Sequence, residues 1–262
     1  MIAFGLDLRV CALCYRALTF WLLGFAERAV RAAEEATNEA RDINHPVSLC
    51  FVLAVCNSLL LVRIGHLDAA ESSINELIEY AGEHSLIPYK AAGMCARGTL
   101  FAARGDAIRA EEMLRAGLEI IEEAGFYLYS PLFLGRWAEA LAACGRLDEA
   151  LAAVERAQQR TEAAELLWFL PEVLRIKGEI LLRAGAAATA VEESFLQSLD
   201  WARRQKALAW ELRTATSLAR FWRGRDRVQE AREVLTAVYG RFTEGLTTAD
   251  PQAAQALLDA LA

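Results

Sequence analysis

Acidic and basic side chains alternate at helical spacing in the second half of this 262-residue chain. Glu172, Arg175, Glu179 and Arg183 follow one another at intervals of three and four, as do Arg213, Thr216, Arg220 and Arg223. On a helix that spacing lays each set along one face. Guanidinium groups in such a row have two chemistries open to them. They can fork onto the carboxylate or phosphate of a ligand, or they can pair with the glutamates beside them and contribute little.

Other chemistry-bearing residues point nowhere specific. Cys11-Ala-Leu-Cys14 has CxxC spacing, but zinc and redox versions need a second ligand pair or an exposed turn. This pair falls on an expected helix with no partner pair, so the reading is two small packing residues. His45, His66 and His84 lie near loops or helix ends with no HExxH or other ligand spacing, and are read as capping or exposed. No Ser/His/Asp motif is present. The expectation is therefore no metal, no cofactor and no enzyme.

The elements that carry these residues are set by a repeat. Gly24, Gly65, Gly105, Gly145 and Gly185 are 41, 40, 40 and 40 residues apart, and Asp226 stands 41 further on. Seven residues before each mark is a small residue: Ala17, Ser58, Gly98, Ala138, Gly178, Ala219. Five after it is Ala29, Ala70, Ala110, Ala150, Ala190 or Ala231. Large residues follow nine after the mark at Ile74, Leu114, Val154 and Leu235, but ten after it at Phe195, which implies one extra residue in the fifth repeat. A fixed period means stacked helical hairpins. These offsets match a tetratricopeptide pattern better than a HEAT pattern, with helices longer than the usual 34-residue unit allows. The expected fold is all-α: a right-handed superhelical solenoid of about six such hairpins in one domain, 1–262. The repeats are placed near 8–42, 47–83, 88–124, 131–163, 168–204 and 208–243, with a capping helix at 251–261. Asp68, Asp106 and Asp148 suit the starts of second helices. Asn44-His45-Pro46, Ser130-Pro131 and Asp250-Pro251 read as helix starts, the last as a cap pair.

In this repeat class the concave groove is lined mainly by first-helix positions 13, 10, 6, 3 and 2 before the mark. Those positions grade from apolar to charged: Cys11, Cys14, Leu18, Trp21, Val52, Val55 and Leu59, then Cys95, Thr99, Leu132, Gly135 and Glu139, then Glu172, Arg175, Glu179, Arg183, Arg213, Thr216, Arg220 and Arg223. As a binding groove, Arg175, Arg213 and Arg220 take an anionic group and the apolar end takes a partner helix. As plain structure, Glu139, Glu179, Arg175 and Arg220 are rungs of an ion-pair ladder. The apolar end also has a second reading, an uncapped face where Leu13, Phe20 and Trp21 have lost a neighbour, which implies self-association or docking onto an upstream domain.

Longer strings carry a resemblance. Asp7-Leu-Arg-Val-Cys-Ala-Leu-Cys14 running on to Trp21-Leu-Leu-Gly24, Leu170-Pro-Glu-Val-Leu-Arg-Ile-Lys-Gly-Glu179, Glu211-Leu-Arg-Thr-Ala-Thr-Ser-Leu-Ala-Arg220 and Val238-Tyr-Gly-Arg-Phe-Thr-Glu-Gly245 are similar to the C-terminal repeat region of large bacterial signalling proteins. Those proteins join an adenylate/guanylate cyclase or DNA-binding domain to a predicted AAA/STAND-type ATPase and then to an array like that of the maltose-regulon activator. The resemblance implies a regulatory binding array, with a protein or peptide partner, an upstream ATPase or cyclase domain, or a small sugar-like effector. The sequence has no GxxxxGK[ST] loop, cyclase or DNA-binding domain, so it resembles only the tail, either as a fragment or as a chain that works alone.

Charge and apolar content narrow the partners. The net charge of −7 carries no basic footprint for nucleic acid. Val47 to Val62 is sixteen residues without a charge, short of the roughly 20 needed to span a bilayer. The run from Val10 to Ala26 contains Arg16 and lacks the layout of a signal peptide. Both are expected to be buried helices, with no membrane role. Six cysteines in a chain of this size fit a reducing cytoplasm better than a disulfide scaffold.

Overall fold

A computed structural model describes residues 2–3, 5–125 and 130–262. Its described residues form six helical hairpins and a final helix: α1 (Leu8–Leu22) with α2 (Ala26–Asp42), α3 (Pro46–Ile64) with α4 (Leu67–Glu83), α5 (Ile87–Ala103) with α6 (Ala107–Glu123), α7 (Ser130–Ala143) with α8 (Leu147–Ala163), α9 (Leu170–Arg183) with α10 (Ala188–Arg204), α11 (Leu208–Arg223) with α12 (Val228–Tyr239), and α13 (Ala249–Asp259).

The marks end the first helices for a stereochemical reason. All five marker glycines have left-handed backbone, φ from 70° to 90°, and Asp226 adopts φ 61° at the sixth. Glycine enters that region without a Cβ clash, which is why it stops a helix cleanly. A second left-handed series, glycine at only one of its five positions, closes the second helices at Asn44, Ser85, Gly125, Glu165 and Lys206. The extra residue of the fifth repeat is real: α10 starts three residues after its mark, where the other second helices start two after theirs. It moves the packed position from Ala190, which is half-exposed, to Val191, which is fully buried.

The offsets around each mark are packing instructions. Ile74, Leu114, Val154, Phe195 and Leu235 are fully buried. A Cβ on Gly98 would lie 2.7 Å from Leu114 Cγ and 3.0 Å from the Ala110 carbonyl oxygen; one on Gly178 would lie 2.5 Å from the Phe195 ring. The small residues thus let paired helices approach to backbone contact, which interdigitated cores need.

The chain groups into two compact units. The first takes in the segment ending at Trp21 together with Ala26–Phe133. Its centre is α3, which widens into a π-helical stretch at Leu53–Ser58, with Ser58 Oγ donating to the Leu53 carbonyl at 2.7 Å. Among the described residues α3 alone is long and apolar enough to cross a membrane by length and composition, and most of its apolar stretch is buried inside the protein. The N-terminal edge differs from expectation. Ile2–Ala3 and Leu6–Asp7 pair as a short antiparallel ribbon, β1 and β2. Asp7 then caps α1 by accepting from the amides of Arg9 (2.9 Å) and Val10 (3.1 Å), and its own N–H donates to Ser48 Oγ. Trp21 has not lost a neighbour: it is 4% exposed, with the Arg63 guanidinium 5.0 Å from its ring centroid. Leu13 and Phe20 are half-buried.

The second unit comprises Leu22–Phe25 and Leu134–Ala262. Trp210 is completely buried and its Nε1 donates to the Trp168 carbonyl. Helix α12 stops at Tyr239, before Gly240, four residues earlier than the sequence reading placed it. Helix α13 packs Ala254 and Leu257, and the residue Leu261 just beyond it, onto the core made by Leu212, Leu218, Leu235 and Val238. Its N-cap is Thr248, so Asp250 and Pro251 lie inside the first turn and are not the cap pair expected. That displacement frees Asp250 for another contact.

Candidate functional site

The charged positions of the second unit converge on one buried carboxylate. Glu172 sits in the first turn of α9, 2% exposed. It accepts from Arg175, one turn on, through Nε (2.8 Å) and Nη2 (3.2 Å). From α11, Arg213 reaches it through Nε (3.2 Å) and Nη2 (3.0 Å), and from α7, Arg136 Nη2 stands 3.2 Å away. Arg213 and Glu172 hold the same place in successive repeats, thirteen before the mark, which is why the two side chains meet. Burial alone would raise the Glu172 carboxyl; the guanidinium groups of Arg175, Arg213 and Arg136 outweigh it and hold the group well below the usual carboxylate range.

The pairing extends outward. Glu139 accepts from Arg175 at 2.7 Å and from Arg136 at 2.6 Å, and Glu179 lies 3.9 Å from Arg175. Arg213 Nη1 donates to Asp250 of α13 at 2.6 Å. Burial opposes ionisation of Glu139, and Arg136 with Arg175 overcomes it, so its carboxyl is also held down. The ladder expected of Glu139, Glu179 and Arg175 is therefore present, with two members outside the expected set: Arg136 and Asp250. Arg136 lies nine before its mark, one step off the groove register, and Asp250 had been assigned to capping. The Arg136–Glu139 spacing of three was the available signal for the first.

Arg220 departs from the ladder. It is exposed on α11 and enters none of these pairs among the described residues. It borders a cleft of about 80 Å³ with Arg175, Arg213, Thr216, Ser217, Asp250 and Ala253. Thr216 Oγ1 is turned back onto the Leu212 carbonyl (2.8 Å), so its donor is used. The cleft thus offers one uncommitted guanidinium beside two others already fixed in direction by Glu172.

Thr99 and Leu132 belong to the first unit and do not join this site. Both are buried, and Thr99 Oγ1 donates to the Cys95 carbonyl at 3.0 Å. Cys14, Leu18, Trp21, Val52, Val55 and Leu59 are likewise buried, with only Cys11 half-exposed. The apolar end assigned to a groove is thus core: neighbouring helices already occupy the faces these side chains present. The histidines lie at helix ends or in the open, as expected: the Ser48 amide donates to His45 Nδ1 at the start of α3, His84 Nδ1 lies 3.0 Å from the Tyr80 carbonyl at the end of α4, and His66 is exposed. His66 occupies the N-cap position of α4 without a side-chain hydrogen bond. Among the described residues no three His, Cys, Asp or Glu side chains are grouped to hold a metal.

Comparison with solved structures places the fold among the tetratricopeptide-type helical arrays. The apo form of RapI aligns with 96% of this chain and 85% of its own, at 10% identity and a TM-score of 0.64. BtubC from P. vanneervenii aligns with 88% of this chain and 91% of its own, at 16% identity and TM-score 0.57. A STAND protein with a tetratricopeptide repeat sensor from Pyrococcus horikoshii aligns with 96% of this chain but 38% of its own, at 12% identity and TM-score 0.53. No protein-family model and no curated sequence matches the chain.

Proposed function

We propose that the protein is a non-catalytic binding module whose second unit recognises an acidic group on a protein or peptide partner. The observation that carries this reading is Arg220: an exposed guanidinium with no ion-pair partner among the described residues, at a cleft where Arg175 and Arg213 are already oriented. Guanidinium forks match carboxylate and phosphate geometry. At about 80 Å³ the cleft takes the anionic end of a larger ligand, since sites for whole small molecules run from roughly 300 Å³ upward. That favours a partner's side chain or chain terminus over a sugar-sized effector.

The likeness in fold to a STAND protein's repeat sensor supports a regulatory setting. In that reading the array works in the cytoplasm, as the tail of a signalling ATPase or cyclase-type protein or as a free-standing adaptor, and filling the cleft biases an upstream domain or a bound partner. The test is an array of peptides varied in acidic content, scored against wild type and Arg220→Ala. The expected result is selection of acidic peptides by wild type and loss of that selection in the variant. Equal profiles for the two proteins would overturn the proposal.

A further inference from the structure

A further concavity lies in the first unit, on a surface that the groove positions do not reach. A cleft of about 400 Å³ is lined by Glu71 and Asn75 of α4, Arg97 and Phe101 of α5, and Arg109, Glu112 and Met113 of α6. Arg97 and Phe101 each stand two residues beyond a groove position, Cys95 and Thr99. Two residues are about 200° around a helix, so this cleft opens on the other side of α5. Its volume falls in the range of small-molecule sites.

Its walls carry both signs of charge with capacity to spare. Arg97 spends one nitrogen, Nη2, on Asn75 Oδ1 at 2.7 Å. Its remaining donors make no hydrogen bond among the described residues, although its charge also helps to hold the Glu71 carboxyl down. Glu71 is held by Arg104 at 2.8 Å, whereas the exposed carboxylate of Glu112 makes no hydrogen bond or ion pair among the described residues. Phe101 and Met113 supply the apolar part of the lining. The Arg109 guanidinium lies 3.9 Å from the Phe101 ring centroid, and Met113 is half-buried beside it. A guanidinium face and a thioether both favour an aromatic ring over an aliphatic chain.

We infer that this cleft binds a free aromatic α-amino acid, its carboxylate on Arg97, its ammonium on Glu112 and its ring against Arg109, Phe101 and Met113. Two guanidinium groups and two carboxylates in one cleft with an aromatic-favouring lining fit a zwitterion with a ring, which meets both signs of charge at once. A plain anion would meet Glu71 and Glu112, and a plain cation would meet Arg97 and Arg109. The site is separate from the acidic-group cleft at Arg220 and does not rest on that reading.

The experiment is calorimetric titration of the whole chain with L-phenylalanine. Phenethylamine, 3-phenylpropionate and N-acetyl-phenylalanine amide serve as analogues lacking one charge or both. L-Phenylalanine is expected to bind saturably at millimolar concentration or below, with each analogue weaker by about tenfold or more, the scale of one lost charge-assisted hydrogen bond. Glu112→Gln should weaken L-phenylalanine by a similar factor while leaving 3-phenylpropionate unchanged, and Arg97→Gln should do the converse with phenethylamine. Both side chains are at the surface, and unchanged thermal unfolding will show that the fold is kept. Arg220→Ala should bind L-phenylalanine like wild type. Absence of saturable binding, equal affinity for all four compounds, or indifference to both cleft substitutions would overturn the inference.

Discussion

Position 13 before the mark is Val52 in the first unit and Glu172 in the second; position 6 before it is Leu59 or Thr99 in one and Glu139, Glu179 or Arg220 in the other. In the first unit Val52, Leu59 and Thr99 are absorbed into packing. In the second, Glu172 becomes a buried hub for three arginines, and Arg220 is left over at a cleft. The same helical scaffold makes a core in one place and an electrostatic framework in another. The difference lies in whether each charge has a counter-charge on the adjacent first helix. A repeat register says where side chains lie; their pairing says whether they are available.

The largest expected effect lies at the hub. Glu172→Ala removes the carboxylate that three guanidinium groups share and leaves each with its outer partners alone; loss of one partner of a buried pair costs about 3–5 kcal/mol, and chemical denaturation measures it. At the hub-free counterpart, Thr99→Val removes one hydroxyl bonded within its own helix and should change stability by no more than about 1.5 kcal/mol. Near-equal losses at the two sites would erase the contrast between the units.

Next comes close packing in the first unit. A Cβ on Gly117 would lie 2.5 Å from Cys95 Sγ and 2.9 Å from the Ala91 carbonyl oxygen, so Gly117→Ala should lose about 1–3 kcal/mol by overpacking. Thermal unfolding of that variant reads the effect.

Acid sharpens the comparison further. Glu172 and Glu139 have lowered folded pKa values, so each binds its proton more readily when unfolded. Their contribution is complete above the unfolded carboxylate value of about 4.3 and is lost as pH falls through the lower folded values. Urea titrations at stepped pH should show stability dropping through the acid range, and a Glu172→Gln protein should show a shallower drop.

The smallest effect is local. Asp226 holds left-handed backbone with φ 61°, a conformation that costs an L-residue roughly 1–2 kcal/mol. Asp226→Gly removes that cost but frees the unfolded chain, so a net gain of about 0.5 kcal/mol is expected in the same unfolding assay.

Much of the fold was legible because glycine spacing reports a backbone requirement directly. Even the inserted residue before Phe195 could be read from a displaced large side chain. The second left-handed series was not legible, because Asn44, Ser85, Glu165 and Lys206 carry no shared chemistry. The apolar groove positions were misjudged for a related reason: Val52 or Leu59 suits a groove wall and a core equally, and only neighbouring helices decide between them. At the charged site, Glu139, Glu172, Arg175 and Arg213 were found by register. Arg136 fell one step outside it, and Asp250 was hidden by a plausible capping role. Arg220 was expected as a possible rung, and its isolation depends on three-dimensional distances that no spacing rule supplies.

The central claim is that Arg220 is free to take an anionic group while Glu172 occupies its neighbours. Side-chain Nε–H NMR of the arginines during titration with acetate, a minimal carboxylate, tests this directly. The account predicts a saturable shift of the Arg220 resonance, with smaller shifts at Arg175 and Arg213 where they border the cleft, and none at Arg136. An Arg220 resonance that does not move, or moves no more than an exposed arginine elsewhere such as Arg204 of α10, would contradict it.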